Sequence, residues 1–339
     1  MNATTKAVFG VDVAKLVFQI HTVVQATGEV ISKQIKRAAF LEYFANLAPC
    51  LIGMEACGGS QHWARRLKEM GHEVKLMAGK QVKAFVSGNK NDVADARAIW
   101  LAVQQSAIRP VAIKTEAQQA VLAMHRMRQQ LVKFRTAQSN NLRGLMGEYG
   151  EVMKVGFKAL NEAMPGVLAR LGDRLPAPLI DTWREQWAMI STLDAQIQQI
   201  ERRLQEWMRL DPASKAIEAI PGVGLLTATA AVATMGDPKA FQSGREFAAW
   251  LGLVPAQTGT GGRVRLLGIS KRGDTYLRTL LIHGARAVLL HSKQKSKWVE
   301  ELGKRRPPNV VVVALANKMA RTIWTMLAHD RAYDRDYAR

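Results

Sequence analysis

The chain has 339 residues and carries 48 Lys and Arg against 28 Asp and Glu, a formal net charge of +20 at pH 7. With 48% hydrophobic and 22% charged residues it can bury a full core, which excludes a disordered basic tail as the whole protein. The cationic excess points to a polyanion, because cations held on phosphates release condensed counterions. Cys50 and Cys57 are too few for a disulfide framework or a four-thiolate zinc site. At roughly 100–200 residues per domain, two or three domains are expected.

The first third alternates short β-rich runs with amphipathic stretches. Ala7–Val13, Val17–Val23, Glu29–Ile35, Leu51–Met54 and Val74–Met77 are expected as strands. Ala38–Leu47, Gln61–Met70 and Asp92–Gln104, with apolar residues three and four apart, are expected as helices. The order β-β-β-α-β-α-β-α describes a mixed sheet with helices on its faces, since a purely doubly wound sheet would alternate from the start.

From Glu116 the pattern changes to long helices. Met124, Met127, Leu131, Phe134, Leu142 and Leu145 form one stripe, and Trp187, Ile190, Leu193, Ile197, Ile200, Leu204 and Met208 form a second. Pro165–Leu179 is expected to connect the two. Two helices paired within one subunit and a coiled coil pairing two subunits fit these stripes equally. The last third, from about Asp211, is expected to be short helices separated by glycine-rich turns, with Ser243 as an N-cap. Lys and Arg exceed Asp and Glu by 9 within residues 261–310, the densest basic patch. The apolar run Val310–Ala316 falls far short of the ~20 residues that span a bilayer, and Met1–Phe9 lacks the pattern of a secretory signal, so a cytoplasmic protein without a membrane partner is expected.

Asp12 ends the first strand in Val11-Asp12-Val13-Ala14-Lys15, and Glu55 follows the fourth in Met54-Glu55-Ala56-Cys57-Gly58-Gly59. Asp92 and Asp95, three apart, share a helix face. Four such oxygen donors suit a pair of Mg²⁺ ions acting at phosphorus. The plainer readings are a helix cap for Asp92 and an ion pair with Arg97 or Arg66 for Asp95. They explain Asp12 and Glu55 less well, because a buried unpaired carboxylate costs several kcal/mol.

In the last third, Ile220-Pro221-Gly222-Val223-Gly224 opens on a helix N-terminus, the pattern of a helix-hairpin-helix grip on DNA backbone through Gly222 and Gly224. Thr258-Gly259-Thr260-Gly261-Gly262 then places a hydroxyl among Arg263, Arg265, Lys271 and Arg272, with Arg278 and His283 on the following helix. From the residues alone this is a phosphate-binding loop or, given an activating base or metal, a nucleophile. Lys293, Lys295, Lys297, Lys304, Arg305 and Arg306 extend a nucleic-acid track or form a solvated face.

Taken in order, these motifs resemble the transposases of insertion-sequence family one-hundred-ten, and more closely its eleven-eleven subgroup, over essentially the whole chain. The carrying motifs are Val11-Asp12-Val13-Ala14-Lys15, Met54-Glu55-Ala56, Asn91-Asp92-Val93-Ala94-Asp95-Ala96-Arg97, Ile220-Pro221-Gly222-Val223-Gly224 and Gly268-Ile269-Ser270-Lys271-Arg272-Gly273. The resemblance implies an α/β plus α chain in three parts. Residues 1–112 would form a RuvC-like, ribonuclease-H-fold catalytic domain, 113–210 a coiled-coil oligomerisation domain, and 211–339 a C-terminal transposase domain with a helix-hairpin-helix-like element.

It further implies Asp12, Glu55, Asp92 and Asp95 as catalytic ligands of Mg²⁺, with Mn²⁺ as a substitute. The implied partners are donor and target DNA, a non-coding guide RNA from the same element and further copies of the chain, as a dimer or dimer of dimers. The implied location is the bacterial cytoplasm at the nucleoid. Where the family carries a nucleophilic serine, this chain has Gly259-Thr260-Gly261. Thr260 is therefore the aligned hydroxyl, Thr258 in a shifted loop is the alternative, and an impaired loop is the third option.

The expected activity is RNA-guided recombination through a covalent protein–DNA intermediate. Two other readings compete with it: a Mg²⁺-dependent Holliday-junction nuclease that uses water, and a non-catalytic nucleic-acid-binding architectural protein.

Overall fold

The computed structural model describes residues 6–89, 91–293 and 295–334. The reading of Met1–Phe9 as leaderless therefore lies largely outside the described residues. The chain divides into two compact units, one running up to Glu116 together with Met235–Gln242, the other comprising Ala117–Thr234 and Ser243 onward.

The first unit is built on a five-stranded sheet of β1 (Val8–Val13), β2 (Val17–Val23), β3 (Val30–Lys36), β4 (Leu51–Glu55) and β5 (Glu73–Met77), in the order β3-β2-β1-β4-β5. β1, β2 and β3 pair antiparallel as a meander, whereas β4 and β5 join β1 in parallel. The helices are α1 (Phe40–Ala45), α2 (Ser60–Glu69), the single-turn α3 (Gly79–Val82) and α4 (Asp92–Val103). Apart from α3, each element lies where its periodicity puts it, to within a few residues.

The period of two along the strands decides what each face packs against. Phe9, Val11, Phe18 and Ile20 are buried with Phe40, Phe44, Trp63 and Leu67 of α1 and α2. Phe9, Phe18, Phe40, Phe44 and Trp63 meet edge to face in this layer. The opposite face is covered by α4, and two glycines bring that helix close. A Cβ on Gly10 would stand 2.2 Å from the carbonyl oxygen of Ala96, and one on Gly53 2.7 Å from Val103 Cβ. Trp100 Nε1 donates to the carbonyl of Val8 at 3.1 Å. Successive turns of α4 thus run back along β1, which leaves the N-terminus of α4 at the end of the sheet where β1 and β4 finish.

The second unit contains α5 (Glu116–Gly147), α6 (Phe157–Gly172), α7 (Ala177–Leu210), α8 (Pro212–Ile217), α9 (Leu225–Met235) and α10 (Gly244–Trp250). The hairpin of β6 (Pro255–Thr260) and β7 (Arg263–Ile269) follows, then α11 (Thr275–His291), α12 (Lys297–Arg305) and α13 (Pro308–His329). Three expectations are corrected here. Pro165 does not begin a connector. It sits exposed inside α6, whose buried stripe of Leu160, Met164, Val167, Leu168 and Leu171 outweighs the lost amide, so the connector shrinks to residues 173–176. The glycine-rich stretch after Pro255 is a β-hairpin and not a loop between helices, closed by Gly261 and Gly262 at φ +55° and +77°, as a two-residue primed turn requires.

The third correction concerns α5. Its buried residues are Val121, His125, Ser139, Leu142 and Met146, while Met127, Phe134 and Leu145 of the expected stripe are exposed. The inner face meets α7 through apolar contact, with Val121, Met124 and Leu131 beside Ile200 and Leu204 and with Leu142 and Met146 in the cluster of Trp183 and Ile190, and also through polar pairs. Arg128 pairs with Glu201 at 2.6 Å, Arg135 with Asp194, and Gln138 donates to Gln186. The α7 stripe holds as expected, with Ile190, Ile197, Ile200, Leu204 and Met208 buried. The two long helices therefore pair within one chain.

One helix among the described residues, α13, is long and apolar enough to cross a membrane. Val311, Val312, Ala316, Met319, Ala320 and Ile323 are buried in the second unit, a core role that accounts for its composition.

Candidate active and nucleic-acid-binding sites

In the first unit the backbone explains why four carboxylates gather. Val11 pairs with Met54, so Asp12 and Glu55 stand at neighbouring positions on parallel strands. Each lies two residues beyond a glycine packed on α4, so both share the face that α4 covers. Asp92 and Asp95 occupy the first turn of α4, at the same end of the sheet. Asn91, not Asp92, is the N-cap, its Oδ1 accepting from the Ala94 amide at 2.8 Å, so Asp92 is released from that role. Asp12, Glu55 and Asp95 are half-buried and Asp92 is exposed.

Gly79 leaves room for the Glu55 carboxylate, since a Cβ there would stand 2.3 Å from Oε1. Cys57 lies within the same field: burial first, then the negative charges of Glu55 and Asp12, push its thiol above its ordinary value. The four carboxylates at this end of the sheet offer hard oxygen donors, which suit Mg²⁺ or Mn²⁺. Among the described residues no three His, Cys, Asp or Glu side chains stand close enough together to hold a metal ion. The four carboxylates share one end of the sheet but not one coordination sphere.

In the second unit the hairpin sorts its side chains by face. Thr260 pairs with Arg263 and Thr258 with Arg265, so both hydroxyls and both guanidinium groups share one face, while Gly259, Val264 and Leu266 take the other. Every one of these residues is exposed.

Gly222, at φ +87°, faces α11, where a Cβ would stand 2.7 Å from the carbonyl oxygen of Gly284. Its glycine character serves this close packing, whereas Gly224 has open space around it at the start of α9. Lys271, Arg272 and the cations of residues 293–306 named above are exposed, as is His283. Arg278 differs from the expectation. It is 7% exposed and donates to the carbonyls of Leu251 and Arg272 and to Thr275 Oγ1, so its guanidinium is committed inside the fold and is not free to grip a phosphate.

Sequence reasoning missed a buried polar cluster between α5, α9 and α11, because a lone His in a long helix carries no signal. Thr229 Oγ1 donates to the Leu225 carbonyl at 2.8 Å, so it accepts from His125 Nε2, 2.9 Å away, and Nδ1 accepts from the Tyr276 hydroxyl at 2.9 Å. Burial first, and then Arg128, lower the His125 pKa to about 4. Because the unfolded chain takes up this proton near 6.5 and the folded chain only near 4, stability is complete above pH 6.5 and falls as pH drops through that window. The expected loss between pH 7 and pH 4 is about 3 kcal/mol. Denaturant unfolding of wild type and His125→Gln checks it: the wild-type advantage should shrink by that amount.

Such a combination, a mixed sheet with carboxylates at its strand ends and a helical unit with a cationic hydroxyl-bearing hairpin, is that of an enzyme acting on nucleic-acid phosphates. Residues 9–151 match DEDD transposases of the IS110 type, and residues 214–300 match the family described as Transposase IS116/IS110/IS902. The chain is 47% identical over 329 residues to a probable family 20 transposase of Pseudomonas aeruginosa, spanning 96% of this chain and 97% of that one. It is 40% identical to the transposase for insertion sequence element IS1111A of Coxiella burnetii (96% and 91%) and 35% identical to that for IS1328 of Yersinia enterocolitica (96% and 98%). The chain belongs to the IS110/IS116/IS902 family of transposases, enzymes of DNA strand transfer in transposition.

Proposed function

We propose that this transposase is an RNA-guided recombinase that cuts and rejoins donor and target DNA through a covalent threonyl–DNA intermediate. The observation that carries the reading is the hairpin face on which Thr258 and Thr260 stand opposite Arg265 and Arg263. In the proposed step the Thr260 oxygen forms a bond to the scissile phosphorus, its proton leaves to a nearby base, and the departing deoxyribose oxygen takes up a proton. Arg263 and Arg265 hold the phosphate and offset the charge that builds on it. The phosphodiester energy is kept in the protein–DNA bond, so strands rejoin without hydrolysis.

Asp12, Glu55, Asp92 and Asp95 of a ribonuclease-H-like, RuvC-like first domain would hold Mg²⁺, or Mn²⁺ in its place. The ion would supply Lewis-acid activation of the attacking and leaving oxygens. Gly224 and its helix N-terminus, Lys271 and Arg272 would track backbone phosphates of DNA or of a guide RNA from the element's non-coding end. Three working parts, 1–112, 113–210 and 211–339, in a bacterial cytoplasm and at the nucleoid, complete the proposal. Incubating the chain with its RNA, Mg²⁺ and labelled donor DNA, then denaturing, tests it. DNA retained on protein supports the recombinase, and free nicked ends without attachment support a junction-resolving nuclease.

Subunit pairing is proposed to use the outer face of α5. Met127, Phe134 and Leu145 fall at heptad-compatible positions and are 54%, 51% and 45% exposed, whereas Met124 and Leu131 of the same stripe pack inward against the cluster of Val121, Ile200, Leu204 and Ala233. Phe134→Glu is expected to shift the sedimenting species from dimer or tetramer to monomer while leaving the intrachain α5–α7 seam intact. An unchanged oligomer would place the interface elsewhere.

A further inference from the structure

We propose that Arg278 is a positioning residue whose buried guanidinium holds the turn Ser270-Lys271-Arg272-Gly273 in the backbone conformation that presents Lys271 and Arg272 to a nucleic-acid phosphate. The inference rests on the reading of that turn as a phosphate contact and concerns how the contact is built.

Lys271 takes φ +51°, in the left-handed region that side-chain-bearing residues seldom adopt. Something must hold it there. The turn is docked on the C-terminal end of α10. The Ser270 amide donates to the Val254 carbonyl at 2.8 Å and the Lys271 amide to the Gly252 carbonyl at 3.2 Å. Two glycines at positive φ make the approach possible: a Cβ on Gly252 would stand 2.4 Å from the Arg272 amide nitrogen, and one on Gly273 1.8 Å from the Trp250 carbonyl oxygen.

Arg278 staples the assembly from below. Nη1 donates to the carbonyl of Leu251, at the end of α10, at 2.9 Å and to that of Arg272, in the turn, at 2.7 Å, while Nη2 donates to Thr275 Oγ1 at 3.1 Å. Nη1 alone serves both carbonyls, and the other arm of the planar group, Nη2, fixes its orientation on Thr275 Oγ1, a second anchor that the single nitrogen of a lysine ammonium lacks.

Charge adds a second effect. All three acceptors are uncharged, so the positive charge of Arg278 is solvated by them but not cancelled. It lies beneath two exposed cations, and its field adds to theirs at the surface of the turn. Ser270 Oγ is buried without a hydrogen-bond partner, which leaves an unused hydroxyl in the same turn.

A double-mutant cycle on the full chain, read as affinity for a short fluorescent DNA duplex against salt, separates the alternatives. Lys271→Ala with Arg272→Ala should lower the slope of log K on log salt by about 0.9 for each phosphate that is no longer neutralised. Arg278→Met in the wild-type background should weaken binding by about tenfold, the size of one well-made charged interaction, and lower the slope by part of the same amount. In the Lys271→Ala, Arg272→Ala background it should weaken binding less than about twofold, because the groups through which it acts are gone. An equal loss in both backgrounds would mean that Arg278 touches phosphate itself or supports the fold at large, and would overturn the inference alone. If Lys271→Ala with Arg272→Ala leaves binding unchanged, or the wild-type chain binds no duplex, the reading of the turn as a phosphate contact fails and the inference with it. Should Arg278→Met not fold, as judged by thermal unfolding, Arg278→Lys carries the same cycle, since it keeps the charge but loses the planar group and its second anchor on Thr275.

Discussion

Thr260→Ala is expected to abolish the covalent attachment of DNA to this transposase, a loss of at least about 10³-fold in recombination, since removing a nucleophile leaves only the binding and electrostatic contributions of the site. Denaturing gels with labelled donor DNA provide the measurement. Thr260→Ser should retain attachment, because the hydroxyl is kept and the methyl group that crowds its approach to phosphorus is removed. Thr258→Ala should change attachment far less, although Thr258 lies on the same face of the hairpin and pairs with Arg265. Equal losses at both threonines would show that the pair acts through hairpin structure. Loss at Thr258 alone would move the nucleophile by two residues, along one face of one strand. All these residues are exposed on a two-stranded ribbon, so none of the substitutions should lower the unfolding temperature by more than about 2 °C.

The sheet is legible because strand and helix periods differ, even though β1, β2 and β4 are covered on both faces. Along β1, β2 and β4 the face toward α4 takes Gly10, Gly53, Gln19 and His21 together with Val8 and Leu51, and the face toward α1 and α2 takes Phe9, Val11, Phe18, Ile20, Ile52 and Met54. Chain order and element type follow from that pattern, whereas the spatial order β3-β2-β1-β4-β5 required the pairings themselves.

The errors have physical causes of the same kind. The apolar stripe of α5 is divided between two faces: Leu142 is buried and Met124 and Leu131 pack inward, whereas Met127, Phe134 and Leu145 are exposed, and periodicity alone does not separate the two groups. The ribbon of β6 and β7 buries neither face, so no alternation marked it, and Thr-Gly-Thr-Gly-Gly read as a loop. Arg278 looked like any surface cation, since nothing local in a sequence tells whether three oxygens from residues 251, 272 and 275 will close around a guanidinium. A carboxylate at the end of an apolar strand is conspicuous, but a buried cation satisfied by backbone carbonyls leaves no trace in the pattern.

Asp12→Asn is expected to cut strand transfer by roughly 10³-fold while leaving the fold intact. A bound divalent ion stabilises transition-state charge by several kcal/mol, and about 4 kcal/mol corresponds to that factor. The substitution is nearly isosteric at a half-buried strand end, and it removes a negative charge beside Glu55, so unfolding without metal should be as stable as wild type or slightly more so. Activity alone would not separate a missing metal ligand from a missing hydrogen bond, and a binding readout does. Mg²⁺ or Mn²⁺ at 100 times its dissociation constant stabilises a folded chain by about 2.7 kcal/mol. In the first unit that gain should appear in wild type and in Thr260→Ala, shrink strongly in Asp12→Asn, and shrink likewise in Glu55→Gln.

Asp92→Asn and Asp95→Asn make the sharper comparison. No three of these side chains stand close enough together to hold an ion, so a contribution from α4 requires its first turn and the strand ends to approach each other. If both α4 variants keep the full metal-induced stabilisation while Asp12→Asn loses it, the ion belongs to the strand-end pair alone, and the aspartates of α4 act on the substrate or on the helix N-terminus. If all four lose it, the carboxylates close into one site when the ion binds.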